Sequence, residues 1–509
     1  MHLKTEVIII GGGSTGTGIA RDLALREIPS ILLEKGDFTS GASGRNHGLL
    51  HSGARYVVSD REAARECITE NRILKAIAPH CIEATGGFFV SLPEDSLYWR
   101  DQFIRSCMDV GIEAEPLQRD DVLQRDPAIN PDLVAAVRVP DGAVDPFLLV
   151  IENARDAERN GAKCLTHVEV TELLAAGGRI RGVMARDTIT GEPHDIEAPF
   201  VVNATGAWAD HILKLAGLHL GLILSKGSML ITNRRLCRHV INRCRPPGDG
   251  DIIVPNETVS ILGTTSVTID DIGRIEVTPP EVSRLIEAAS HLIPAVKTTR
   301  FIRAYAGVRP LFQFADAADG RAVSREFVLV DHGARDGLSG LITITGGKLI
   351  TYRLMAEKVC DLLCGKMGVR VDCKTAVTPL PGAERPFDLS GRLKEFGDVP
   401  LQGRGETLCD CELIGRGEIE GILRQGRLRN LQDILHRTRL AKGTCQGAFC
   451  VYRLLGVLQE QGLTGGGEPH EILKGFLEER WKGVRPILGG LSLREEELIE
   501  SIYRGLFNL

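Results

Sequence analysis

Thr5-Glu6-Val7-Ile8-Ile9-Ile10-Gly11-Gly12-Gly13-Ser14-Thr15-Gly16 is the stretch from which the fold can be read. Its apolar run, Thr5 to Ile10, has the length and β-branched content of a short buried strand, and the glycines from Gly11 to Gly16 mark a turn. Ile19 to Arg26 reads as a helix and Ser30 to Glu34 as a second strand, which completes a βαβ unit. Gly11, Gly13 and Gly16 form G-x-G-x-x-G, the spacing that gives a tight turn and lets backbone N–H groups approach a pyrophosphate at a helix N-terminus. Glu34 ends the second strand, 18 positions after Gly16, where a carboxylate can accept hydrogen bonds from ribose hydroxyls. The motif specifies a dinucleotide and does not separate NAD from FAD, because both present the same ADP half.

Further strand-like runs at Phe200 to Asn203 and Leu341 to Ile344 each feed a glycine-containing turn, so the nucleotide domain is assembled from separated segments. The intervening residues, roughly 75–145 and 215–305, are expected to form a second layer over the cofactor, with a pocket between the layers. This places an oxidoreductase-type unit at residues 1–375 and a linker at 376–407, where proline and glycine accumulate. A separate small domain is expected at 408–462. Beyond it, after a glycine-rich break at Gly465 to Gly467, residues 463–509 read as a helical tail. In that tail Ser492 and Glu495 have capping-box spacing, and Leu498, Ile499, Ile502, Tyr503 and Leu506 share a helical face.

A chain of 509 residues that is 43% hydrophobic and 25% charged can bury more than one core. Its net charge of -6 provides no global field for nucleic acid, so anion binding must come from local clusters of Arg and Lys. The apolar stretch before Gly11 is too short for a secretory signal, and no run of about 18 apolar residues would span a membrane. The expectation is a cytoplasmic protein associated peripherally with the inner face of the cell membrane.

Thirteen cysteines, an odd count, argue against a disulfide framework and for metal or redox use of a subset. Cys409-Asp410-Cys411 and Cys445-Gln446-Gly447-Ala448-Phe449-Cys450 give C-x-C and C-x4-C, two close thiolate pairs that suit a 2Fe-2S cluster. Zinc is the competing metal, but its paired cysteines usually have two or more residues between them. The remaining cysteines read as small buried apolar residues.

Gly41 to Tyr56, Asn203 to Trp208, Tyr305 to Leu311, Ser324 to Glu326 and Thr345 to Arg353 resemble segments of the FAD-dependent glycerol-3-phosphate dehydrogenases. The cysteine region is similar to the bacterioferritin-associated ferredoxin domain appended to several flavin dehydrogenases. Glu479 to Gly483 resembles the A subunits of the anaerobic branch. Leu349 and Ile350 stand where Trp-Thr is more usual in aerobic relatives. The resemblance implies an α/β fold: an FAD-binding Rossmann-type domain, glutathione-reductase- or glycine-oxidase-like, with an interleaved α+β substrate domain and a small α-helical iron–sulfur domain.

It also implies flavin contacts at Gly11, Gly13, Ser14, Thr15, Gly16, Glu34, Lys35, Ser43, Leu49, Val170, Ala204, Thr205, Gly206, Trp208, Gly346, Gly347 and Lys348, and cluster ligation by Cys409, Cys411, Cys445 and Cys450. His51, Arg55, Tyr56, Arg309, Arg325 and Lys348 are the residues implied to meet the substrate. The implied activity is oxidation of sn-glycerol 3-phosphate to dihydroxyacetone phosphate on FAD. Electrons would leave through companion B- and C-type subunits toward membrane quinone.

The chemistry fits those residue types. A phosphate dianion needs several cationic donors, which the Arg forks and Lys348 supply. Removal of a hydroxyl proton suits His51, because imidazole titrates near neutrality. Two other readings stay open on the sequence. One is a flavin enzyme for a 2-hydroxy acid or amino acid, whose carboxylate needs only one Arg. The other is a redox- or iron-sensing binding module without turnover.

Overall fold

The computed structural model describes all residues except 274, 313–325, 389, 392, 395–404, 425–429, 464–468 and 509. Arg325, part of the expected linker and the Gly465 to Gly467 break therefore lie outside the described residues. The elements that position the site are β1 (Val7–Ile10), α1 (Ser14–Leu25), β2 (Ser30–Glu34), α2 (Arg61–Ile77), α3 (Pro146–Arg159), β3 (Lys163–Thr166), β4 (Phe200–Asn203), β5 (Ile223–Thr232), β6 (Phe301–Leu311), β7 (Phe327–Asp331), β8 (Leu341–Gly346) and α4 (Tyr352–Met367).

Six of these strands form one sheet in the order β3-β2-β1-β4-β8-β7. All neighbours are parallel except β7, which closes the edge antiparallel to β8. β1 and β4 are buried throughout, as unbroken apolar strands must be when both sheet faces are covered. α1, α3 and α4 cover one face through Ile19, Leu23, Val150, Ala154 and Val359. A four-stranded sheet that includes Val168–Ala176 and Arg179–Asp187 covers the other, where Ile8, Ile10, Val183 and Ile196 meet.

The helix after the glycine turn starts at Ser14 rather than at Ile19, because Gly16 and Gly18 are inside it. Their poor helix propensity is overridden by packing: a methyl on Gly18 would stand 2.9 Å from the Tyr352 ring.

The stretches between the nucleotide strands meet in a nine-stranded sheet. Gly87–Ser91, Glu115–Leu117 and Ala135–Val139 come from the first stretch and join strands of the second, including β5, at whose edge β6 pairs. β5 and β6 run antiparallel from Ile223 opposite Leu311 to Thr232 opposite Phe301. The core of this layer is built from Phe88, Leu230, Ile241, Leu262 and Leu285.

The C-terminal unit holds a hairpin, Thr407–Cys409 with Ile414–Gly415, two short helices, and then α5 (Cys450–Glu460), α6 (Pro469–Val484) and α7 (Leu491–Phe507). Leu473 and Phe476 of α6 and Tyr503 of α7 share one core with Leu408, Ile414, Val451 and Leu454, so the tail completes the cysteine domain instead of trailing from it. The expected capping box is not formed. The N-cap of α7 is Gly490, which puts Ser492 inside the helix. Ile499 and Tyr503 face the core, while Leu498 and Leu506 point out. The carboxylate expected to cap works across the structure instead, Glu495 pairing with Arg300, and the neighbouring Glu496 forms a fork with Arg480 at 2.6 Å on both oxygens.

This unit docks beside the nucleotide strand. Asp37, three residues past Glu34, is buried and accepts hydrogen bonds from His436 Nδ1 at 2.9 Å and from Arg437 at 2.6 and 2.8 Å. Burial alone would raise the Asp37 carboxyl, but the hydrogen bonds from His436 and Arg437 outweigh it and hold the group below its usual value. A depressed carboxyl stabilises above its unfolded value and loses that contribution as pH falls through the folded one. Limited proteolysis is therefore expected to release the C-terminal unit on acidification below about pH 4, and Asp37→Asn to allow release at neutral pH. Equal protection of both proteins at both pH values would refute this clasp.

Candidate active site

A cavity of about 510 Å³ runs from the glycine turn to the face of the second sheet. Its floor at one end is the turn itself. Gly11 has φ +115°, and a Cβ there would stand 2.7 Å from the Ala204 carbonyl oxygen, so no side chain fits. Gly16 does not line the cavity. It lets α1 sit on the turn, since a methyl at Gly16 would overlap the Gly11 carbonyl. Ser14 and Thr15 open α1 at the cavity wall, and the Ser14 N–H donates to Ser43 Oγ at 2.9 Å.

The Glu34 carboxylate accepts from the amides of Gly12 at 2.7 Å and Gly36 at 2.8 Å. Burial raises its carboxyl against the pull of those amides. Lys35 lies over the Trp208 ring at 5.3 Å, and both line the cavity with Val170, Ala204, Thr205 and Gly206. The shape and donor set fit FAD. There is a backbone cradle for a pyrophosphate with no Cβ in the way, a carboxylate at the strand end for a ribose, and a continuation of the cavity to Gly346 and Gly347.

At the far end the lining includes Leu49, His51, Tyr56, Arg309 and Lys348. The loop carrying the first three is pinned to β6: Tyr305 Oη donates to the Asn46 carbonyl at 2.8 Å, and Gly307 is bare where the Arg45 backbone crosses it. The His51 ring lies 5.4 Å from that of Tyr56, and Lys348 Nζ is 4.8 Å from the Tyr56 centroid. Arg309 donates to Thr264 Oγ1 and, at 3.3 Å, to the Thr265 carbonyl.

Arg55 does not line the cavity. Its guanidinium lies 3.3 Å from the Gly248 carbonyl and 3.8 Å from Asp251. The lining also holds residues not singled out from the sequence, chiefly Arg45, Asn46, Gly227, Met229 and Thr264. Arg45 and Asn46 lie within the Gly41 to Tyr56 stretch quoted above, and Gly227 shows in the sequence as a glycine inside a strand.

The four paired cysteines converge. Cys411 Sγ is 3.8 Å from both Cys409 Sγ and Cys445 Sγ, and Cys450 closes the ring by contacting Cys409 and Cys445. Hydrogen bonds within the ring pull Cys409 and Cys445 down and push Cys411 and Cys450 up. Among the described residues, no group of three or more His, Cys, Asp or Glu side chains has the disposition to hold a metal ion. What the structure adds for the cysteines is their convergence.

Fold and cavity together define an FAD-dependent oxidoreductase, and residues 6–353 match the family model described as FAD dependent oxidoreductase. The chain is 47% identical to the A subunit of the anaerobic glycerol-3-phosphate dehydrogenase of Escherichia coli (strain K12), over 99% of this chain and 97% of that one. It is 45% identical to the polypeptide of the same name from Haemophilus influenzae, over 100% and 94%. The chain belongs to the family of anaerobic glycerol-3-phosphate dehydrogenase A subunits. Its fold is also that of the glycerol-3-phosphate dehydrogenase from Bacillus halodurans solved with FAD, with a TM-score of 0.70, 24% identity and 96% of each chain covered.

Proposed function

We propose that this chain oxidises sn-glycerol 3-phosphate to dihydroxyacetone phosphate, with Arg309 and Lys348 binding the phosphate and His51 taking the hydroxyl proton. The observation that carries this reading is a single cavity that joins the dinucleotide cradle to a group of cations beside an imidazole. Arg45, Arg309 and Lys348 all reach it, where a carboxylate substrate would need one such fork. Bound FAD supplies the acceptor for the hydride. The protein's own part is to bind the phosphate, to place the carbinol carbon by the enclosing walls, and to move the hydroxyl proton onto an imidazole nitrogen of His51. Tyr56, between His51 and Lys348, is suited to orient the substrate hydroxyl. Arg55, which pairs with Asp251, supports this loop from behind instead of meeting the substrate directly.

We assign a 2Fe-2S cluster to Cys409, Cys411, Cys445 and Cys450. C-x-C and C-x4-C spacing supports that assignment over zinc, and the convergence of the four sulfurs brings the two pairs within reach of one cluster. Electrons would then pass to companion B- and C-type subunits and on to membrane quinone, a reading supported by the relatives, whose names make each of them one lettered component of a larger enzyme. Among the described residues no helix is long and apolar enough to cross a membrane, so membrane contact at the inner face would be peripheral.

The test is an anaerobic spectrum of the reconstituted protein before and after sn-glycerol 3-phosphate is added. Bleaching of the oxidised flavin band is expected, and a flavin that stays oxidised would overturn the substrate assignment. Cys411→Ser is expected to remove the iron–sulfur absorbance while flavin reduction by substrate proceeds. Retention of iron at the wild-type ratio would overturn the ligand set.

A further inference from the structure

We propose that Gly227 and Thr264 are positioning residues that form a seat for the Arg309 guanidinium and so fix its donors toward the substrate phosphate; this rests on the glycerol-phosphate reading. Gly227 lies in the middle of β5, directly opposite Gly307 on β6, with Arg309 two residues further along β6. Residues two apart on a strand share a face, so the Arg309 side chain can lie back along β6 across the bare glycine pair. A Cβ built on Gly227 would stand 2.5 Å from Arg309 Nη2 and 2.8 Å from both Cζ and Nη1. The near equality of those three distances means that the guanidinium plane lies flat over the glycine.

The backbone does not demand glycine here, because Gly227 lacks the positive φ that would disfavour other residues. Glycine weakens a strand interior and marks positions where another group approaches closely, and at Gly227 that group is the guanidinium. The edge of the seat comes from the segment after Val259–Gly263, which pairs with β5. There Thr264 Oγ1 accepts from Nη2 and the Thr265 carbonyl accepts from Nη1. Floor and edge thus fix both the tilt and the rotation of a planar fork, and a fork recognises phosphate well only when its orientation is set.

Gly227→Ala is expected to raise the KM for sn-glycerol 3-phosphate about tenfold to a hundredfold, in line with the cost of misplacing a binding group by about 1 Å. Its flavin content should be unchanged and its kcat should stay within about threefold of wild type, because the binding lost is common to ground and transition states. Thr264→Val should act in the same direction, with Thr264→Ser restoring wild-type KM. In an Arg309→Ala background, Gly227→Ala should change KM no further, since the two residues act as one unit.

A second readout is the dissociation constant of inorganic phosphate for the FAD-loaded protein, followed by flavin absorbance, which should rise in parallel in Gly227→Ala and Thr264→Val. An unchanged phosphate constant in both variants, additive effects in the Arg309→Ala background, or no phosphate binding by wild type would overturn the seat. If wild type is not reduced by sn-glycerol 3-phosphate yet binds phosphate through the seat, the substrate reading fails and the seat stands.

Discussion

Gly16→Ala is expected to give a folded chain that purifies with less than about a tenth of the wild-type flavin. The methyl would overlap the Gly11 carbonyl oxygen, which is backbone and cannot rotate away. Gly11 has nowhere to retreat, because it already lies against the Ala204 carbonyl just past the end of β4. Either α1 lifts from the turn or the turn is pushed into the space meant for the pyrophosphate. Overpacking of this kind costs about 1–3 kcal/mol in the protein itself. Loss of a ligand present at about 1,000 times its Kd removes about a further 4 kcal/mol of apparent stability. The thermal midpoint should therefore fall and respond only weakly to added FAD. Gly13→Ala separates flavin loss from overpacking, because its methyl would stand in the pyrophosphate cradle without meeting protein backbone, so flavin content should fall while the midpoint of the flavin-free protein holds. Its Cβ would meet only the Ser43 hydroxyl, at 3.0 Å, and a hydroxyl can turn aside. The measurement is the ratio of flavin to protein absorbance after purification, followed by FAD titration. Wild-type flavin content in Gly16→Ala would show that α1 does not depend on this contact.

The parts of this molecule written locally were legible in the sequence. β1, the turn and Glu34 follow from an apolar run, glycine spacing and one acidic residue within about 30 positions, because strand burial and close backbone approach each impose a residue type. Each cysteine pair could be read for the same reason, since C-x-C and C-x4-C hold two thiols close, whereas the meeting of the two pairs was implied only by the family resemblance. Side-chain direction could not be read. Arg55 belongs to a stretch that supplies Leu49, His51 and Tyr56 to the cavity, yet it turns the other way toward Asp251, far along the chain. Ser492 and Glu495 have capping spacing, but α7 begins one residue before Ser492, and Glu495 answers to Arg300 instead. Thr264 carries no motif, and its place beside Arg309 is set by the pairing of β5 with strands on both sides. These are tertiary facts, fixed by partners distant in the chain.

His51→Asn should lower kcat by about 10²- to 10⁴-fold, or roughly 3–5 kcal/mol in the barrier, with KM little changed. Asn approximates the size of the imidazole near Tyr56 and can still hydrogen-bond, but it cannot accept the hydroxyl proton at neutral pH. The substitution should leave the loop in place. The backbone here is held independently of the ring, since the His51 carbonyl accepts from Asn71 Nδ2 at 3.0 Å and Tyr305 fixes the Asn46 carbonyl. For wild type, the rate of flavin reduction at saturating sn-glycerol 3-phosphate should fall toward acid as the proton acceptor becomes protonated, and in His51→Asn that fall should be absent. The saturating rate is the one to follow, because kcat/KM also carries the second ionisation of the substrate phosphate, at about pH 6. Stopped-flow flavin reduction by sn-glycerol 3-phosphate isolates this step from the later passage of electrons. A reduction rate within about threefold of wild type, with the fall toward acid retained, would move the proton acceptor away from His51, leaving Tyr56 beside Lys348 as the group to test next.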